Sequence, residues 1–135
     1  MNSASAMTGE YAERVEEMRC AVEKLPANLI ELGRSYDYPQ LHRACVDGEL
    51  ELVKGLLDVG LSADAYTYTN DEGDWPPLRW LAEAEDMDAK LKIKVAKLLL
   101  KKGACIDEGD ALEAAEDADD ESFAAFLAAA GATSI

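Results

Sequence analysis

One apolar pattern is written three times between Leu41 and Ala132, and a short unit repeated in tandem has few ways to bury its apolar side. Leu41-His42-Arg43-Ala44-Cys45 is followed by Asp47-Gly48, then by Val53-Lys54-Gly55-Leu56-Leu57, then by Gly60. Ala111-Leu112-Glu113-Ala114-Ala115 is followed by Phe126-Leu127 and Gly131-Ala132. Fifteen residues separate Leu41 from Leu56 and Leu112 from Leu127; nineteen separate Leu41 from Gly60 and Leu112 from Gly131. The middle copy reads Pro77-Leu78-Arg79-Trp80-Leu81-Ala82, then Val95-Ala96-Lys97-Leu98-Leu99-Leu100, then Gly103-Ala104. It matches at both ends and holds six extra residues, in or near Glu85–Lys90. A unit of this kind cannot cover its own apolar face, so about three must stack to be stable.

The segment upstream has a different rhythm. Residues Met1–Met7 are small and polar and read as a frayed end. Tyr11, Val15, Met18, Val22 and Leu25 recur at intervals of four and three, which puts them on one helical face. Glu10, Glu13, Glu16 and Glu17 occupy its first turns, where the helix dipole favours acids. Pro26 stops this helix and opens a second as its first residue, and Gly33 reads as the C-terminal stop of the second. Ala65-Tyr66-Thr67-Tyr68-Thr69, before Asn70-Asp71-Glu72-Gly73, reads as an extended arm and tight turn rather than a sheet strand.

Charge sorts the possible partners. The 135 residues carry a net charge of -15, from 13 Lys+Arg and 28 Asp+Glu, with 49% of residues hydrophobic. The length suits one domain, and the apolar content excludes wholesale disorder. No apolar run approaches the ~18 residues of a membrane span. Met1–Glu10 lacks the basic and apolar stretches of a secretory signal. Phosphate binding needs a positive field, so nucleic acid and anionic lipid are poor partners, whereas a basic protein is a good one. Cys20, Cys45 and Cys105 are odd in number and widely spaced, and His42 is the only histidine. That argues against a zinc site and for a reduced, cytoplasmic protein with no metal or cofactor. Gly103–Ile135 holds nine acids and no base, directly after Lys90, Lys92, Lys94, Lys97, Lys101 and Lys102.

The three units resemble ankyrin repeats. The first supplies Pro39, Leu41, His42, Ala44, Gly48, Val53, Leu56, Leu57 and Gly60; Gln40 intrudes between the proline and the leucine. The second supplies Pro77, Leu78, Leu98, Leu99, Leu100, Gly103 and Ala104, with Arg79 in the histidine position. The third supplies Leu112, Ala114, Ala115, Leu127, Gly131 and Ala132, without the proline or the histidine. The resemblance implies an all-α solenoid of about three repeats, near 37–70, 71–107 and 108–135. Residues 1–36 form a helical cap over the open face of the first. It also implies a concave surface suited to proteins, with His42 serving the repeat's own turn hydrogen bonds.

Candidate contact residues follow from composition and place. Tyr66, Tyr68, Asp71, Glu72, Asp74 and Trp75 lie on the loop after the first repeat, where aromatics and acids together suit an interface anchor. Trp75 packing beneath the loop against Trp80 is the competing reading. Asp71-Glu72-Gly73-Asp74 lacks the alternating acids and late glutamate of a calcium loop. Glu116, Asp117, Asp119 and Asp120 form an acidic helix-to-helix turn, with Asp119 or Asp120 as a helix cap. The lysines of 90–102 are expected to face outward, partly neutralised by the acidic third unit. No nucleophile–base pair, phosphate loop or metal cluster is written in the chain. The expected function is therefore non-enzymatic. It is that of a monomeric, stoichiometric binder of a basic protein, resembling an immunity protein that neutralises a cognate toxin; the alternative is an adaptor linking two partners.

Overall fold

Residues 10–69 and 73–132 are described by a computed structural model; Met1–Met7, Asp71 and Glu72 lie outside them. The apolar stripe upstream of the repeats forms α1 (Glu10–Glu23), and Met18, Ala21, Val22 and Leu25 are buried. Pro26 stands one position before α2 (Ala27–Arg34) rather than as its first residue. Gly33 does not stop α2 but lies inside it and is buried. A Cβ there would come within 3.0 Å of Val22 Cγ1, so the missing side chain lets α2 close on α1. Arg34 continues the helix and donates to Glu23 of α1 at 2.6 Å.

Three helix pairs follow. They are α3 (Gln40–Val46) with α4 (Leu50–Asp58), α5 (Pro77–Glu83) with α6 (Ala89–Lys101), and α7 (Ala111–Asp117) with α8 (Glu121–Ala129). A 3-10 turn, Glu108–Asp110, precedes α7. The first helices pack in the order α3, α5, α7, and the second in the order α4, α6, α8. Small residues permit the close approach of the first helices: Ala44, Cys45, Ala82, Ala111 and Ala115 are fully buried. Leu56, Leu99 and Leu127, one from each second helix, are likewise sealed, each contributing roughly 1.5–3 kcal/mol by burial. On the open side of the first pair, α2 lies against α4, where Leu25 and Leu29 approach Gly55.

The fold is all-α in class, with one exception to the sequence reading. Thr67–Thr69 and Gly73–Trp75 are short strands, β1 and β2, paired antiparallel as Thr67↔Trp75, Tyr68↔Asp74 and Thr69↔Gly73. Tertiary anchors rather than residue alternation hold this hairpin. Thr67 is buried and its hydroxyl donates to Tyr38 Oη at 2.5 Å, and the Trp75 carbonyl accepts from His42 Nε2–H at 3.1 Å.

The same turns recur at the same places. Gly60, Gly103 and Gly131 take positive φ of 118°, 104° and 110° after the second helices. Beyond them, Leu61, Ala104 and Ala132 N–H donate back to Leu56, Leu99 and Leu127 carbonyls at 3.2, 3.0 and 2.9 Å. These six-to-one bonds satisfy carbonyls that a helix end leaves open. Within the pairs, Gly48 and Asp119 are both left-handed, at φ 74° and 59°. A left-handed aspartate costs about 1 kcal/mol more than a glycine. Asp119→Gly is therefore expected to raise the stability by about 1 kcal/mol, read as a higher thermal midpoint; a lower midpoint contradicts this account of the turn.

The six extra residues of the middle copy divide between two elements. The loop 84–88 has five residues where 47–49 and 118–120 have three, and α6 has 13 residues where α4 and α8 have 9. The insertion therefore lengthens the helix by four residues and the loop by two, rather than falling in the loop alone.

Candidate functional site

Residues of the longer middle helix-to-helix turn line hollows shared with the first turn on one side and the last on the other. A groove of about 620 Å³ runs from the end of α3 to the start of α6. Val46 and Asp47 form one wall, Glu83 and the loop 84–88 the other, with Trp75, Trp80 and Leu91 completing it. Two smaller depressions adjoin it. One takes Asp119 and Asp120 from the last turn, the other Asp117, and both share Glu85 with the groove. Eight carboxylates thus line one edge: Asp47, Glu83, Glu85, Asp86, Asp88, Asp117, Asp119 and Asp120.

These carboxylates are not equivalent. Asp88 is the N-cap of α6 and accepts from Leu91 N–H at 3.1 Å. Asp120 caps α8, accepting from Phe123 N–H at 3.2 Å. Glu83 accepts from Arg79 Nε at 3.1 Å. Glu85 and Asp86 are exposed and serve no helix cap or ion pair among the described residues, so their charge faces whatever enters the groove.

The aromatic wall is fixed from below. The Arg79 guanidinium lies 4.1 Å from the centre of the Trp75 ring, and its Nη1 donates to the Gly109 carbonyl at 3.0 Å. Trp75 therefore packs on Arg79, and Trp80 meets His42 edge to face at 5.1 Å. His42 is fully buried. Burial drives its pKa from 6.5 down to about 3, against the pull of the Trp75 and Ala65 carbonyls. The unfolded chain takes up this proton below about pH 6.5, while the folded chain refuses it until about pH 3. Its stabilising contribution is thus complete above 6.5 and falls as the pH drops. At pH 5 the wild type is expected to have lost about 2 kcal/mol more than a His42→Asn variant, each relative to its own value at pH 7.5. Urea titrations at the two pH values read this difference, and parallel losses contradict it.

The candidates read from the sequence separate into groups. Trp75 lines the groove, whereas Asp117, Asp119 and Asp120 line the two depressions beside it. Glu116 is exposed near the end of α7. Tyr66 is half-buried and its hydroxyl donates to Glu108. Beside that bond, the Asp64 carboxylate accepts from Cys105 N–H at 2.9 Å; together they tie the loop after the first pair to the loop after the second. Tyr68 and Asp74 are backbone partners in the hairpin, while Asp71 and Glu72 lie outside the described residues. Sequence reasoning missed Trp80, Asp47 and the acids of the middle turn. The available signal was the acidity of the insertion in the middle copy.

The lysine segment corrects one expectation. Lys92 does not face outward: it is 2% exposed, with its Nζ 2.5 Å from Asp120 Oδ2 and 2.8 Å from the Ala84 carbonyl. Lys102 turns to Asp58 on α4, at 2.5 Å. Lys90, Lys94, Lys97 and Lys101 are exposed along one stripe of α6, with no ion pair among the described residues. Cys20 and Cys105 are exposed, Cys45 is buried, and all three are free thiols. Burial pushes the Cys45 thiol up, away from the reactive thiolate. Among the described residues no group of His, Cys, Asp and Glu is arranged to hold a metal ion, and no helix is long and apolar enough to cross a membrane. No protein-family profile, curated protein or solved structure matches the chain.

Proposed function

We infer that the chain is a non-enzymatic protein-interaction module. In this reading residues 1–36 cap an ankyrin-type stack of three repeats, near 37–70, 71–107 and 108–135. The recurring left-handed glycines and the ordered packing of first on first and second on second helices support the stack. The module acts as a monomeric, stoichiometric inhibitor of a basic protein, in the manner of an immunity protein that neutralises its toxin. Its place is the cytoplasm, a reading supported by three free thiols. The observation that carries the function is the acidic edge: five carboxylates line an open groove that has two tryptophans in its wall, and three more line the depressions beside it. Acids so arranged speed encounter with a basic surface, and the half-buried tryptophans supply the anchor.

Affinity capture on the immobilised chain tests this. One basic protein is expected in one-to-one ratio, released as salt rises toward about 0.5 M because exposed charges are then screened. Capture of nothing, or of many unrelated proteins in unequal ratios, overturns the reading.

The lysine stripe of α6 favours a second reading, an adaptor joining two partners. Its free cations line neither the groove nor the adjoining depressions, so they provide a separate surface of opposite sign. An adaptor binds both partners at once, and mutual competition between them counts against it.

A further inference from the structure

The chemistry of the groove narrows what the partner presents to it. Trp75, Trp80 and Met87 supply flat or polarizable apolar surface, while Asp47, Glu85 and Asp86 supply negative charge around it. The side chain that matches both is apolar on its faces and cationic at its edge. A guanidinium meets that description, and a lysine ammonium does not, being a compact and strongly hydrated point charge. The protein already makes this pairing in the groove wall. Arg79 stacks 4.1 Å from the centre of the Trp75 ring while donating to the Glu83 carboxylate at 3.1 Å. We propose that the groove between α3, α5 and the loop 84–88 receives an arginine-bearing segment of the partner protein, its guanidinium against the indoles and its charge facing Glu85 and Asp86. This deepens the reading of the chain as a binder of a basic protein and rests on it. The net charge of -15 repels a nucleic-acid occupant.

Tryptophan emission tests the assignment directly, because Trp75 and Trp80 are the two tryptophans of the whole chain and both line the groove. The intact protein is titrated at low salt with a hexa-arginine peptide and with a hexa-lysine peptide. A saturable change in emission is expected, with the arginine peptide binding about fivefold more tightly than the lysine peptide. Glu85→Lys/Asp86→Lys is expected to weaken the arginine peptide about tenfold. Glu13→Lys/Glu17→Lys alters net charge equally on exposed positions of α1 and is expected to weaken it less than about twofold. Circular dichroism confirms that each variant is folded. Equal weakening by the two variants overturns the proposal, because the acid then acts as a diffuse field. Equal affinity for the two peptides, or binding by calorimetry without a change in emission, overturns it as well.

The wider reading fails separately. If a basic partner is captured in one-to-one ratio and Glu85→Lys/Asp86→Lys leaves its affinity unchanged, the groove assignment falls and the binder stands. If the peptides behave as expected and no partner is captured, the groove chemistry stands and the inhibitor reading falls.

Discussion

Lys92→Ala is expected to lower the unfolding free energy by about 3 kcal/mol, an effect that reading α6 as a helix with an outward lysine face does not anticipate. Lys92 is 2% exposed, and its ammonium has partners on two elements, Asp120 at the start of α8 and the Ala84 carbonyl beyond α5. It also lies 5.1 Å from the centre of the Phe123 ring. Its removal leaves a carbonyl without a donor, a carboxylate without its counter-ion and a void beside Phe123. Asp120 retains a side-chain exposure of 25% and can recruit water, which keeps the cost at the lower end for breaking a buried pair. Lys92→Met restores most of the volume and is expected to cost about half as much. Urea denaturation at pH 7 reads both, and a loss below about 1 kcal/mol for the alanine variant removes the pair from the account of stability.

The same pair fixes a pH dependence. Burial pushes the Asp120 carboxyl up, but the Lys92 ammonium and the Phe123 N–H outweigh it, and the net shift is downward from 3.8. A depressed carboxyl stabilises the fold fully above its unfolded pKa and loses that contribution as pH falls through the folded value. The pair therefore acts through the neutral range and fails only in acid, below the range in which His42 has begun to weaken the fold.

The second large effect is expected in binding. Glu85→Lys/Asp86→Lys turns two free carboxylates of the groove into cations, and affinity for the captured basic partner is expected to fall about a hundredfold, or about 2.7 kcal/mol. The loss is expected in both rates: association slows, an effect that shrinks as salt is added because steering is screened, and dissociation quickens because the guanidinium loses its counter-charges. The two side chains are exposed and cap no helix, so folding stability is expected to change by less than about 0.5 kcal/mol. Surface-based kinetics at two salt concentrations, with a melting curve for each protein, separates these effects. A loss confined to dissociation and independent of salt contradicts the steering role.

The sequence pattern was informative wherever a signal lay within one unit. Leu56, Leu99 and Leu127 were legible as repeated core positions, and all three are sealed. Gly60, Gly103 and Gly131 were legible as closing turns, and all three adopt the left-handed conformation that those turns require. Gly33 was misread because a glycine after an apolar run signals a stop as readily as a close approach, and only the position of Val22 distinguishes them. Lys92 was misread because helical periodicity locates a face but not the carboxylate beside it.

The candidate site shows the same division. Asp117, Asp119 and Asp120 were found as a charge run, but their proximity to Glu85 depends on adjacent turns stacking. Tyr66 was singled out by composition, and its pairing with Glu108, 42 residues away, was not legible in the sequence.

The sequence by itself determined the helical units, their order, their sealed leucines and the excess of acid, because spacing and composition act over one or two turns of chain. Tertiary structure alone decided which acids share a groove, which lysine is buried and which tryptophan stacks on arginine. Those outcomes require atoms of different units to meet within a few ångströms, and no local pattern encodes that distance.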